Sequence, residues 1–518
     1  MKKTLYILIL CVNFAFSQSL TVDSGASLTI EKTGTLLVDG PFSNSGTVTL
    51  NSDGDEFSAI KITGTTSGEI TYNRFVNIAA EDEWDLVGSP VDGLSISDFV
   101  NDNDGVIATN GDYTAVGTYD NYYNSWENYG SGSAWESGDF DIGKGYQMGT
   151  VNGGTQLLAF TGTISEDDET QSIVNNDGNA VGGRRWNLVS NPYPSYLHAN
   201  EDADTEFNFL TENEAKIDNE FLAIYGWDAD GSGYTSRGQD YNTNSAVYMA
   251  PGQAFFIASN NTAGEDVNFT ESMQTLSPDS SDDFISGDIM DATEVYLRVY
   301  NGDAFIEDAH IKFQDNMTLG LDPGYDLGNY YQGAAISTRL LVDDQGTNFA
   351  HQQLPVDAME SAVIPLVINQ VAGQEFRINL HTATIPDPNV YLEDVEEGTF
   401  TNLYEGDFVM TPTSDLSGAG RFFIHMSADT MSNEDVSTSL LNAYKELDAS
   451  YITIEGLATQ TNETKVSLYN ILGREVLSTT LNNNMNTQTI STVGLSAGIY
   501  VIELESGTDR LTKKLIIK

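Results

Sequence analysis

Apolar and polar positions alternate along most of this chain, in runs of strand length broken by Gly, Asn, Asp and Ser, and such runs predict short β-strands joined by tight turns. In residues 20–55, Leu28 with Ile30, Leu36 with Val38 and Val48 with Leu50 each alternate against polar neighbours. Rungs of roughly ten residues predict a small β-solenoid or meander over 18–79. Farther on, "EVYLRVYNG", "AHIKFQD", "SAVIPLVIN" and "GRFFIHMS" predict a β-sandwich-like domain over 289–430, and the strand-length runs of 441–518 predict a compact sandwich. Helical periodicity is scarce; residues 439–447 form one short candidate.

The middle of the chain repeats itself. "WDLVGSP" (84–90) is echoed by "WNLVSNP" (186–192), Gly143 of "IGKGYQM" by Gly252 of "APGQAFFI", and Phe160-Thr161 by Phe269-Thr270. The Gly-to-Phe separation is 17 in both copies (160 − 143 and 269 − 252). Equal spacing after an insertion predicts two related β-rich modules, 80–175 and 176–275, packed on each other. The repeated Trp reads as core, because a buried indole removes a large area from water. Turn-rich linkers follow at 276–288 and 427–439.

At 518 residues the chain exceeds one ordinary core, which stops growing near ~250–300 residues, so several domains are expected. The fold class is all-β and multi-domain. Composition adds the charge: 76 Asp and Glu against 22 Lys and Arg, a formal −54. That surface repels phosphate backbones and anionic lipid, which argues against nucleic acid and bare membrane as partners. Residues 1–17 carry Lys2 and Lys3 ahead of an apolar run and small residues at Ala15 and Ser17, the pattern of a secretory signal peptide cleaved before Gln18. Its removal takes away Cys11, the only cysteine, and with it any thiol nucleophile, disulfide or cysteine metal ligand. No later apolar run reaches the ~20 residues of a membrane-spanning helix, so no transmembrane anchor is expected.

Against this acidity the last nine residues hold Arg510, Lys513, Lys514 and Lys518 and no carboxylate. "VSLYNILGREV" (466–476), "GLSAGIYVIELES" (494–506) and the terminal "KKLIIK" (513–518) together resemble, closely, the type A C-terminal sorting domain of type IX secretion cargo proteins of Bacteroidetes. The resemblance implies an Ig-like sandwich read by the outer-membrane translocon and removed by a surface sortase-like protease. It makes Leu472, Gly473, Gly498, Tyr500, Lys513 and Lys514 the candidate sorting residues, whose cations are expected to face a partner other than the acidic cargo. "WNLVSNPYPS", the GQAFF strand and "LGLDPGYD" (319–326) are also similar to segments of large secreted flavobacterial proteins, a likeness that informs location more than activity.

Candidate chemistry is sparse. The five His residues (His198, His310, His351, His381, His425) are scattered without an HExxH, and no GxSxG elbow is present, so no catalytic residues are assigned and a non-enzymatic protein is expected. Any chosen carboxylate pair is uninformative among 76 acids. "DADGSGYTSRGQ" (228–239) sets Asp228, Asp230 and Ser232 at EF-hand-like spacing for Ca²⁺, with Gln239 where a bidentate Glu belongs; the plain alternative is an Asx/Gly hairpin turn. "NDNDG" (101–105) and "NSDGD" (51–55) share that ambiguity. Residues 113–135 hold seven aromatics amid Asn, Ser and Gly, and Trp126, Tyr129 and Trp135 are candidates to stack on sugar rings. Cross-strand aromatic packing is the competing reading. Together these readings predict a secreted or surface-displayed adhesin-like, glycan-binding protein; a secreted hydrolase with an unrecognised site and a structural surface-layer protein are the alternatives.

Overall fold

Turns rich in Gly and Asn leave this chain little but strands, and the sequence folds accordingly into β-sheets with two short α-helices among the described residues. The computed structural model describes residues 15–17, 19–76, 84–130, 138–151, 153–228, 233–239, 246–276, 293–385, 390–426, 441–445, 450–470, 474–496, 498–507 and 509–517. It divides into two units, Met1–Asp291 and Ala292–Lys518. Residues 1–14, most of the expected signal peptide, lie outside the described residues.

The N-terminal runs pair in parallel. Leu20–Val22 lies beside Phe42–Asn44 and that beside Thr66–Ser67; Ser27–Ile30, Thr47–Asn51 and Ile70–Phe75 form a second ladder, and Thr35–Val38 pairs with Ala59–Ile62. Leu20 sits opposite Phe42 and Phe42 opposite Thr66, so one turn of chain takes 22 and then 24 residues (42 − 20 and 66 − 42). The ten-residue spacing in the sequence therefore measures one side of a turn rather than a whole rung. Period-2 alternation shows which residues point inward but not how many sides the chain visits before it returns. Val38, Leu50 and Tyr72 share a core with Val116, Met148 and Phe160, and strand Leu157–Gly162 extends the second ladder by pairing antiparallel with Ile70–Phe75.

The two middle copies have the same connectivity. In the first, Asp85–Val87 pairs with Tyr146–Met148, then Tyr113–Asp120, then Ser125–Gly130; in the second, Trp186–Ser190 pairs with Ala254–Ala258, then Ile224–Asp228, then Gly233–Arg237. Each copy also holds a short helix. Ile96–Asp102 starts at Ser95, whose Oγ accepts from the Asp98 N–H, and Phe209–Asn213 starts at Asn208, whose side chain accepts from the Thr211 N–H. These helices were not legible as periodic runs because they are too short to show one. Their packing is repeated atom for atom. Asn103 donates to the Phe99 and Ala159 carbonyls (2.8 and 3.0 Å) and accepts from the Ala159 N–H (2.8 Å). Asn213 donates to the Phe209 and Asn268 carbonyls (2.9 Å each) and accepts from the Asn268 N–H (2.8 Å). Beside them Phe99 packs on Phe160 and Phe209 on Phe269, with centroids 4.6 and 5.0 Å apart.

Reciprocal backbone bonds join the copies. The Gly88 N–H donates to the Gly252 carbonyl, and the Ser190 N–H, one repeat later, donates to the Gly143 carbonyl, both at 2.8 Å. Gly143 and Gly252 have φ of 77° and 65°, which explains why the repeat keeps glycine there. A Cβ at Gly88 would lie 1.9 Å from Ser190 Oγ, so the two repeated segments meet where only one of the pair carries a side chain.

In the second unit, residues 294–426 form an eleven-stranded sheet, curled into a nearly closed barrel, in place of the expected sandwich. Ala304–Gln314 pairs antiparallel with Glu294–Asn301 and in parallel with Phe349–Pro355, which lets one sheet continue around the core of Val295, Leu297, Ile311, Leu366, Ile378 and Ile424. Residues 441–517 form two smaller sheets over a core that includes Ile452, Ile454, Val466, Leu468, Ile502 and Leu515. Where a helix was expected over 439–447, the described residues form a strand, Asn442–Tyr444; pairing with Tyr451–Glu455 buries Ala443 and Tyr444, and that burial outweighs a weak local helical preference.

Replacing Asn103 or Asn213 by Ala leaves a part-buried strand N–H and a helix-end carbonyl without their partner, and each should lower the stability of the first unit by about 2 kcal/mol. Urea titration checks this; losses under about 0.5 kcal/mol for both would show that the paired helices are not held this way.

Candidate functional site

Two antiparallel hairpins, one from each copy, bring an aromatic cluster to the junction between them. Tyr119 lies opposite Trp126 in the first hairpin and Trp227 opposite Tyr234 in the second, with ring centroids 5.2 and 5.1 Å apart. Such cross-strand aromatic pairs stabilise each hairpin. Phe256 of the adjoining strand, fully buried, forms the floor. Tyr119, Trp126 and Tyr234 approach it at 5.1, 6.2 and 5.8 Å, all nearly edge-on. Above that floor Trp126 and Tyr234 keep 37% and 36% of their residue surface in solvent, so both are part-exposed. Tyr122 and Tyr123, packed edge to face at 4.9 Å, are exposed at the hairpin tip.

Polar groups hold that tip in place. Asn121 donates to the Val174 carbonyl and to Asn187 Oδ1 and accepts from Asn176, the Arg184 N–H reaches the Asn121 carbonyl, and Asn179 donates to the Tyr122 carbonyl. Asn124, at φ 51°, accepts from Tyr119 Oη at 2.8 Å, and burial pushes the Tyr119 hydroxyl up to about 12, so it stays a neutral donor. The first copy's hairpin is thus pinned to the second copy's loops, and its rings are presented with little rotamer freedom left to lose on binding.

The predicted sugar-stacking residues divide. Trp126 stands in the cluster; Tyr129 packs against the first copy's core; Trp135 lies outside the described residues. Strand alternation separates Trp126 from Tyr129, which are three positions apart. Tyr234, Trp227 and Phe256 were missed because they come from another copy, more than 100 residues along the chain. The repeated Trp residues are core as expected: Trp186 is buried against Phe221 and Tyr225, and Trp84 is partly buried against the first core.

For the candidate calcium loop, Asp230 and Ser232 and the side chain of Asp228 lie outside the described residues, while the strands on either side pair as a hairpin with Asp228 opposite Gly233. Gln239 does not close an EF-hand-like loop: buried, it donates to Thr211 Oγ1 (2.8 Å) and accepts from the Glu201 N–H (2.6 Å). Its distance along the chain matched the pattern, but the antiparallel register carries it away from the turn. In 51–55, Asp53 accepts from the Asp55 and Glu56 N–H groups and pairs with Lys32; in 101–105, Asn103 is the helix-packing residue described above. Among the described residues no cluster of three or more His, Asp or Glu is arranged to hold a metal.

The histidines, scattered in sequence, are partly gathered by the barrel. His310 stacks on Tyr296 (3.8 Å) and His351 (4.5 Å, planes within 6°), and His381 meets Tyr296 edge to face at 5.1 Å. Parallel pairing of Ala304–Gln314 with Phe349–Pro355 sets His310 opposite His351, a register no local signal announces. In "LGLDPGYD", Asp322 accepts from the Thr318 N–H, and the wholly buried Asp326 accepts from the Asp322 and Gln353 N–H groups at 2.7 and 2.8 Å. Burial raises the Asp326 carboxyl to about 8.

Of the candidate sorting residues, Leu472 and Gly473 lie outside the described residues. Gly498 opens strand Gly498–Ser506, opposite Ile517; buried Tyr500 donates to the Ser496 carbonyl at 2.7 Å; Lys514 sits opposite Val501 on the last strand. Lys513 is partly buried and donates to Asn442 Oδ1 at 3.0 Å, and its neighbourhood includes Asp343 and Asp344 of the barrel. Lys513 therefore faces acidic cargo after all, against the sequence expectation, because the fold packs the last strand beside strand Asn442–Tyr444 and the barrel. Arg510 pairs with Glu503 and Glu505 on the neighbouring strand.

Residues 448–518 match the family described as a secretion system C-terminal sorting domain. An all-β, multi-domain chain ending in this sandwich is a type IX secretion cargo protein, engaged by that machinery and delivered to the cell surface or extracellular space. Residues 4–426 match the family described as a domain of unknown function, DUF8693, and the chain belongs to that family. No curated protein matches it. Among solved structures it is similar to the BSP domain of a biofilm associated protein (9% identity, 68% of this chain and 67% of that one, TM-score 0.16). An extracellular domain assigned to a one-component system from B. thetaiotaomicron also matches (10% identity, 80% and 79%, TM-score 0.12). Neither TM-score is high enough to transfer a fold or a function.

A carboxyl whose folded pKa lies above its unfolded value favours the folded state most strongly below the unfolded pKa, and that contribution disappears as pH rises through the folded one. Asp326 should therefore make the second unit more stable near pH 4 than near pH 9, with the loss centred between 3.8 and about 8. Denaturant titrations across that range check it, and Asp326→Asn should flatten the slope; an unchanged slope would assign the pH dependence elsewhere.

Proposed function

We propose that this secreted protein is an adhesin-like, non-enzymatic glycan binder whose first unit stacks sugar rings on the aromatic junction between its two repeated modules. The observation that carries this is the pair Trp126 and Tyr234, part-exposed and packed over buried Phe256, with Asp120, Asn124 and the Tyr119 hydroxyl in the first hairpin's tip. Flat rings suit the apolar faces of sugars, and polar neighbours suit their hydroxyls. A neutral polymer also suits a chain of net charge −54, which repels anionic partners. A hydrolase with an unrecognised site and a structural surface-layer role are the competing readings. In this proposal a surface sortase-like protease cuts the chain between the cargo and the sorting domain.

On a glycan array the exported chain should bind a neutral polysaccharide, and Trp126→Ala and Tyr234→Ala should each weaken it about tenfold, or ~1.4 kcal/mol. A blank array with turnover of a polysaccharide panel would overturn the reading in favour of the hydrolase. For export, deleting residues 494–518 should hold the protein in the periplasm; undisturbed surface display would remove the role given to the sorting domain.

A further inference from the structure

The last basic strand has a partner within its own chain. The barrel contributes Arg339, Asp343 and Asp344, and the sorting domain, with the strand Asn442–Tyr444 that pairs into its sheet just ahead of the matched residues, contributes Tyr444, Glu455 and Lys513; Arg339, Asp344, Tyr444 and Glu455 are buried. Arg339 Nε donates to both oxygens of Asp344 (3.2 and 3.3 Å) and Nη1 to Asn348 Oδ1 (3.1 Å), while the guanidinium lies 4.2 Å over the Tyr444 ring. Tyr444 Oη in turn donates to Glu455 Oε1 at 2.8 Å. Burial raises the Glu455 carboxyl to about 8, which keeps it largely a neutral acid beneath Arg339, and burial lowers Lys513, which lines one cleft with Asp343 of the barrel. Backbone comes equally close. Asn486 donates to the Gly420 carbonyl at 3.1 Å, and a Cβ at Gly420 would stand 2.7 Å from Glu455 Cβ. Beside this cluster an apolar cleft of about 450 Å³ is lined from one side by Leu340, Val363 and Phe423 and from the other by Leu441 and Leu511.

Buried charges left without partners are costly, so such a face is stable only when closed. We propose that the sorting domain is latched onto the cargo barrel through this buried polar face and stays bound to it after the chain between them is cut. The partner fitted by the face of Tyr444, Glu455 and Lys513 is the barrel, and scission alone does not release the sorting domain. A second step must pull this face open.

A site-specific protease sequence inserted between Met426 and Leu441 of the exported chain tests this. After complete cleavage the two fragments should co-elute in gel filtration at about 1 µM, the range of a specific interface. Arg339→Met and Lys513→Met, one on each side, should each raise dissociation by tenfold or more, and Asn486→Ala, which removes the bond to the Gly420 carbonyl, should raise it severalfold without removing a charge. Separation of the unsubstituted fragments would overturn the proposal. So would retention as tight as the original in Lys513→Met and Asn486→Ala, which keeps the test decisive if Arg339→Met does not fold.

Discussion

Close backbone contact between two copies of one module governs the first unit. Gly88 meets Ser190 where a second side chain would not fit, and each copy's Trp-containing segment donates an N–H to the other copy's left-handed glycine. Reciprocal bonds of this kind fix both the distance and the relative rotation of the modules, because a tilt that relieved one would break the other. The two aromatic hairpins converge on Phe256 as a consequence, and the exposed rings belong to neither copy alone.

Within that frame, polar residues set the precision of the aromatic face. Asn121 and Asn179 tie the hairpin tip to the loops at 174–187, Asn124 braces it from within by accepting from Tyr119, and Asn103 and Asn213 perform the same buried bridging task in each module. Asparagine suits these places because one short side chain both donates and accepts, and so can satisfy a strand end and a helix end together. The abundance of Asn in the sequence reads as turn material; several of these residues are instead internal struts.

Charge has two roles in the second unit. Most acids face water, yet Arg339, Asp344 and Glu455 are withdrawn from it and answer one another across the boundary between barrel and sorting sandwich. The basic tail is part of that balance: Lys513 donates to Asn442 and lines one cleft with Asp343 of the barrel, while Arg510 is neutralised by glutamates on the adjacent strand. Its contrast with the acidic cargo is a matter of complementarity inside the chain as well as of address.

Alternation of apolar residues and the density of Gly, Asn and Asp turns determined the all-β class, because these are local properties of a pleated backbone. Exact spacing of the repeated motifs exposed the duplication, and the terminal motifs exposed the sorting sandwich. Trp126 was also readable as an aromatic among turn residues. Tertiary structure alone decided the rest. It determined how many strands complete a turn of the parallel ladders, that the barrel is one sheet, that Gln239 leaves its loop, that Tyr129 turns to the core, and that Tyr234, Phe256 and Lys513 find partners far away in sequence. Each of these depends on strand register between distant segments, and register is set by the sum of contacts across a closed core, which no short window of sequence contains.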